Sequence, residues 1–273
     1  MIARLFKAEG VRRLSMQALL LLGVAILIGG TAMFFYDLSL PYAGFEVAGS
    51  TGVGAIDPEG PAAAAGLRMD DRILEIRGGE SPADTYLHPR QESIQLTVLR
   101  DGQEVVLNIS LVPPPPQMVV NKVGYYLMAL AYWLIAMTVL VFKPRDPVSQ
   151  LFVLVALLGT LGIVVWRMAD IGAFWANLAM PAIVLAVGPI FVHYHTVFPE
   201  HTGFKHKKIL LAGLYSASLI LLLLSTASDL VYRYRQLHNL GAGPPSFAAA
   251  IKVYFCACLI IGLAVLVRTY HES

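Results

Sequence analysis

The sequence predicts a multi-pass α-helical membrane protein with about six spans and one small α+β domain outside the membrane. Three observations predict it. Hydrophobic residues make up 57% of the 273 residues and charged residues 14%, against about 25% charged in an ordinary soluble domain. Long apolar runs recur, each able to cross ~30 Å of hydrocarbon at ~1.5 Å per helical residue. Between the first run and the second lies a polar stretch, residues 37–113, whose apolar residues alternate as in strands.

The chain opens with a basic leader, Arg4, Lys7, Arg12 and Arg13, followed by a first span over Met16 to Tyr36. That run exceeds a normal signal-peptide core, and the bulky "MFFY" stands where a cleavage site needs small residues, so residues 1–36 read as an uncleaved anchor. Five more spans are expected at Val120 to Phe142, Gln150 to Trp166, Ala173 to Phe198, Ile209 to Val231 and Phe247 to Val267, so that 120–273 forms a five-span bundle. With the N-terminus in the cytoplasm, Lys143, Arg145, Lys205, Lys207, Lys208 and Arg268 join the leader's basic residues on the inner side. The short outer loops hold Arg167, Arg233 and Arg235. The positive-inside rule favours this orientation and places residues 37–113 outside the cell.

Within that domain, "GPAAAAGLRMDDRILEIRG" (60–78) predicts one short helix. Pro61 suits its first turn, the alanines its body and Gly66 a left-handed cap. "RILEIRG" then alternates Leu74 and Ile76 against Glu75 and Arg77, as a half-buried strand does. "IQLTVLRDGQEVVLNISL" places Ile94, Leu96 and Val98 on one face, turns at Asp101-Gly102, and returns with Val105, Leu107, Ile109 and Leu111, the pattern of a β-hairpin. "VPPPPQ" (112–117) predicts a stiff polyproline linker, with 114–119 joining the domain to the second span.

These motifs, in this order, resemble the second half of a bacterial PDZ domain. In that family an apolar-x-Gly-apolar loop precedes the groove strand, and its backbone N–H groups hold a peptide's terminal carboxylate while the peptide adds as a strand. Tyr42, Ala43, Gly44 and Phe45 match that loop. The resemblance implies that Gly44 lets the backbone approach the ligand and that Phe45 lines an apolar pocket. The family's long groove helix would fall in "GESPADTYLHPRQES", which Pro82 and Pro89 interrupt.

Polar residues inside a bundle are costly and therefore informative. Lys122, Arg167, Asp170, Asp229 and Lys252 all fall near the outer ends of spans, and Arg167, Asp170, Asp229 and Lys252 are candidates for sensing a ligand, with Asp229 pairing Arg167 or Lys252. His193 and His195, two apart on one helix, face different ways and share no metal. Cys256 and Cys258 diverge likewise and form no bridge. Pro181 and Pro189 predict kinks in the fourth span. Gly23, Gly30, Gly159 and Gly162 offer small surfaces for close helix packing.

Catalytic motifs are missing. The chain has no His-Glu-x-x-His for zinc, no glycine-flanked serine nucleophile and no phosphate-binding glycine loop, so no catalytic, metal or cofactor residue is expected and the chain reads as a non-enzyme. An anchor, an external PDZ-like domain, and a bundle with loops "FKPRDPVSQLF" and "FPEHTGFKHKK" together resemble the membrane sensory half of bacterial histidine kinases of the competence quorum-sensing type. That resemblance implies a receptor module for an extracellular signal, expected to be a peptide, whose response passes to a cytoplasmic kinase portion beyond this chain; His271 lacks a phosphoacceptor context. The alternative is a non-catalytic adaptor whose PDZ-like domain gathers envelope proteins by their C-termini. Expected partners are an extracellular peptide or protein C-terminus, membrane lipid and, as an open alternative, a second copy in a homodimer. The net charge of +2 points to no nucleic acid.

Overall fold

A computed structural model describes residues 2–48, 52–77, 92–170, 174–198, 207–237 and 247–272, with the backbone path alone for 2–15, 47, 48, 170, 174, 232, 233, 236, 237, 269, 271 and 272. Six long helices dominate: α1 (Ile2–Ser39), α3 (Pro116–Phe142), α4 (Pro147–Asp170), α5 (Phe174–His195), α6 (Lys207–Leu237) and α7 (Ala248–Glu272). Each contains a stretch long and apolar enough to cross a membrane, and the chain is a multi-pass helical membrane protein. Helices α1, α3, α4, α6 and α7 extend past the expected spans, whereas α5 lies inside its expected span, Ala173 to Phe198. The largest difference is at α1, which begins at Ile2 within the basic leader; α3 begins at Pro116 and so takes up the last two residues of "VPPPPQ". Proline at a helix's first turn lacks only an N–H that would have no helical partner anyway.

The chain divides into two compact units, and the division falls within α1, α3, α4 and α5. One unit comprises 1–30, 127–165 and 177–273; the other comprises 31–126 and 166–176.

In the first unit Ile26 of α1, Ala136 and Leu140 of α3, and Val153, Ala156 and Leu157 of α4 form one buried cluster. Gly23 permits this packing. Its carbonyl accepts a 2.7 Å bond from Trp133 Nε1, and a Cβ there would lie 2.6 Å from Met137 Cε. Gly30 and Gly162 face Val164 and Ile183 at ordinary contact distance. Asp146 caps α4: its Oδ2 accepts from the Ser149 hydroxyl at 2.6 Å and the Ser149 N–H at 2.9 Å, with Pro147 at the first helical position.

The second unit holds a five-stranded antiparallel sheet in the order β1 (Phe45–Ala48), β2 (Gly52–Ile56), β3 (Arg72–Arg77), β4 (Ser93–Arg100), β5 (Gln103–Ser110). The short helix α2 (Pro61–Ala64) precedes β3. Gly66, at φ +84°, ends α2: its N–H reaches the Ala63 carbonyl and the Leu67 N–H reaches that of Ala62, the paired bonds of a Schellman cap. The β4–β5 hairpin turns at Asp101 and Gly102, both with positive φ, and pairs in unbroken register from Arg100–Gln103 to Ser93–Ser110. Ile94, Leu96, Val98, Leu107 and Ile109 form the core with Ala43, Phe45, Val53, Ala62, Leu67 and Ile73.

One strand face differs from expectation. Ile73 rather than Leu74 is buried, and Leu74 is 44% exposed. A register shift between Ile73 and Glu75 inserts a residue, so the alternation restarts and Ile76 turns back to the core.

Candidate functional site

The site is built where the sheet's two chain connections meet long helices. Tyr42, ahead of β1, and Val112, after β5, exchange two main-chain bonds of 2.7 and 3.1 Å. Five residues before Tyr42 stands Asp37, in the last turn of α1. A carboxylate at a helix C-terminus faces the negative end of the helix dipole and needs cations to be stable there. Two supply it. Lys122 of α3 lies 2.9 Å from Asp37 Oδ1 and donates at 2.6 Å to the Asp37 carbonyl, also satisfying an acceptor that the helix end leaves open. Arg167 of α4 donates from Nη2 to Asp37 Oδ2 at 3.4 Å.

All three charges are buried to different degrees. The Asp37 side chain is fully covered, Lys122 is 6% exposed and Arg167 16%. Aromatic rings wall the cluster: Phe34 against Tyr126 at 4.6 Å, Tyr125 edge-on to Trp166, and the Arg167 guanidinium over the Tyr125 ring, a cation–π arrangement. The Tyr126 hydroxyl is buried and has no hydrogen-bond partner among the described residues. The arrangement ties α1, α3 and α4 together through one carboxylate.

Of the candidate sensing residues, Arg167 belongs to this cluster and its carboxylate partner here is Asp37. Lys122, noted only as a charge near a span end, is its most buried cation. Asp229 and Lys252 belong to the other unit, and no ion pair joins them to each other among the described residues. The Asp170 side chain lies outside the described residues. Asp37 itself escaped sequence reading because its partners stand 85 and 130 residues away, a separation that no local spacing reveals.

The loop Tyr42-Ala43-Gly44-Phe45 is firmly set. Gly44, at φ +80°, lets the chain approach itself: a Cβ there would lie 2.8 Å from Pro61 Cδ and 3.1 Å from Gly60 Cα. Ala43 and Phe45 are core residues. The Tyr42 hydroxyl donates to Asp57 Oδ2 at 2.8 Å; burial and the adjacent carboxylate push it up to about 12, so it stays a donor. The expected groove-helix region, 79–93, falls almost wholly outside the described residues.

A second ion pair fixes the sheet. Arg100 grips Asp71 with two bonds of 2.7 Å and also donates to the Gly66 carbonyl. This grip, helped by the Arg68 N–H, holds the Asp71 carboxyl below the usual carboxylate range. Among the described residues no group of three or more His, Cys, Asp or Glu could hold a metal ion; His193 meets the Tyr215 hydroxyl at 3.3 Å, whereas His195 packs on Phe191 and Tyr194.

No protein-family model matches this chain, and no curated protein sequence is similar to it.

Proposed function

We propose that this chain is a membrane sensory module that takes an extracellular peptide on its sheet unit and passes the event to α4 through the Asp37 cluster. The sheet unit acts as a PDZ-like domain outside the cell: the peptide adds as a strand along β1, a terminal strand of the sheet, and its carboxylate sits at the Tyr42–Phe45 loop. The response then goes inward to a cytoplasmic kinase portion or partner. One observation carries this reading. A fully buried carboxylate, close to the point where the sheet's connections join, binds cations from two other helices, and burying charge is too costly to be incidental decoration.

The test uses the full chain in lipid nanodiscs and a library of random-sequence peptides ending in a free carboxylate. Binding that disappears when the selected peptide is amidated at its C-terminus, with a change in Trp166 emission as Arg167 shifts beside it, supports the reading. Equal binding of the amidated peptide removes the loop from the mechanism. Binding that leaves Trp166 emission unchanged in a Trp133→Phe/Trp175→Phe chain favours the adaptor instead.

A further inference from the structure

We propose that Pro189 and Ser218 together form a latched hinge in α5. Proline has no N–H, so the carbonyl of Leu185, four residues earlier, loses its helical donor. Leu185 is 1% exposed and lies within a membrane-spanning stretch, where no water replaces the lost partner. Ser218 of α6 replaces it: its hydroxyl donates to the Leu185 carbonyl at 2.7 Å.

The proton count closes. Ser218 has one proton, which goes to Leu185, and its oxygen still accepts. The Tyr254 hydroxyl of α7 lies 2.8 Å from Ser218 Oγ and 2.7 Å from the Leu214 carbonyl, so its single proton is shared between them. Cys258 stands one turn along α7 from Tyr254. Helix α7 is pressed against the break. A Cβ on Gly188 would stand 3.1 Å from Cys258 Cβ and Sγ, and one on Gly262 would stand 2.7 Å from Phe191 ring carbons.

At this break, then, the α5 ladder lacks one rung; the carbonyl left open is held by a hydroxyl from α6, and α7 packs against the same turn. With that rung missing, bending α5 here strains one main-chain bond fewer than in an unbroken helix and stretches the Ser218–Leu185 bond instead. The Pro189 break and its latch therefore let the segment Ile190–His195 swing at low cost when Ser218 lets go.

The full chain in lipid nanodiscs tests this through a double-mutant cycle. Ser218→Ala should lower the folded-to-unfolded ratio about tenfold, the expected loss when a buried carbonyl is left unpaired. In a Pro189→Ala background, where the amide is restored, the same change should cost less than about threefold. Equal losses in both backgrounds overturn the proposal. If Pro189→Ala does not fold, the isosteric pair Ser218→Thr and Ser218→Val replaces it, and equal stability of the two overturns the latch. The hinge is read in a Cys256→Ser background from the labelling of buried Cys258 by N-ethylmaleimide. Ser218→Ala should raise that rate several-fold, and an unchanged rate overturns the hinge.

Discussion

The Lys122 ammonium touches Asp37 twice, at 2.9 Å on the side-chain oxygen Oδ1 and at 2.6 Å on the main-chain carbonyl. One cation therefore neutralises a buried carboxylate and closes the end of a helix. Arg167, at 3.4 Å and more exposed, is the looser arm. Removing one partner of a buried pair strands the other charge. We expect Lys122→Met to destabilise the full chain by about 3 kcal/mol and Arg167→Met by less, measured by reversible unfolding in detergent. An Arg167→Met loss equal to that of Lys122→Met contradicts this ranking.

The triple replacement Asp37→Leu/Lys122→Met/Arg167→Met removes all three charges at once. Apolar substitutes for a buried ionic cluster are often neutral or stabilising, so this chain should unfold no earlier than the parent. If the cluster is a relay, the same chain still binds peptide and no longer shifts Trp166 emission. A relay signal that survives the replacement assigns the three charges to stability alone.

Two glycines at nearly the same φ make a controlled comparison. Gly66 has open space where a Cβ would go, whereas Gly44 faces Pro61 and Gly60. Gly66→Ala should cost about 1 kcal/mol from backbone strain. Gly44→Ala adds a clash with rigid neighbours and should cost about 2–3 kcal/mol. Amide exchange of β4 and β5 in the full chain measures both, and equal protection in the two variants refutes the packing argument.

Acid acts on the sheet through Asp71. Its pKa is depressed in the folded state, first by the Arg100 bonds. The stability it contributes is therefore complete above the unfolded carboxylate value of about 3.9 and is lost as pH falls through the lower folded value. After correction for intrinsic exchange rates, β4–β5 protection should fall between about pH 4 and pH 2. The Arg100→Gln chain should lack most of that step, and an identical acid profile in it places the titrating group elsewhere.

What the sequence disclosed follows from which forces are local. Lipid acts on contiguous runs, so the spans were readable from composition. The β4–β5 hairpin was equally plain, because Asp101-Gly102 sits at the one place where the alternation reverses. The β3 face was misread because a bulge leaves no mark on composition; "RILEIR" alternates under either register. Long-range ion pairs were the hardest. Arg167 and Lys122 stood out as charges near span ends, but nothing in one dimension joins them to Asp37, which reads as the first residue of the polar domain. Ser218 was invisible for the same reason, although Pro189, the residue that calls for it, was noted as a kink.

The Tyr42–Val112 bridge has an engineering consequence. Because it holds the sheet's two ends side by side, residues 42–112 meet the rest of the chain at adjacent points, like the stem of a cassette. A cassette of that form can be lifted out and grafted between two neighbouring helices of an unrelated membrane protein without prying those helices apart. Equally, a foreign domain with adjoining termini can take its place.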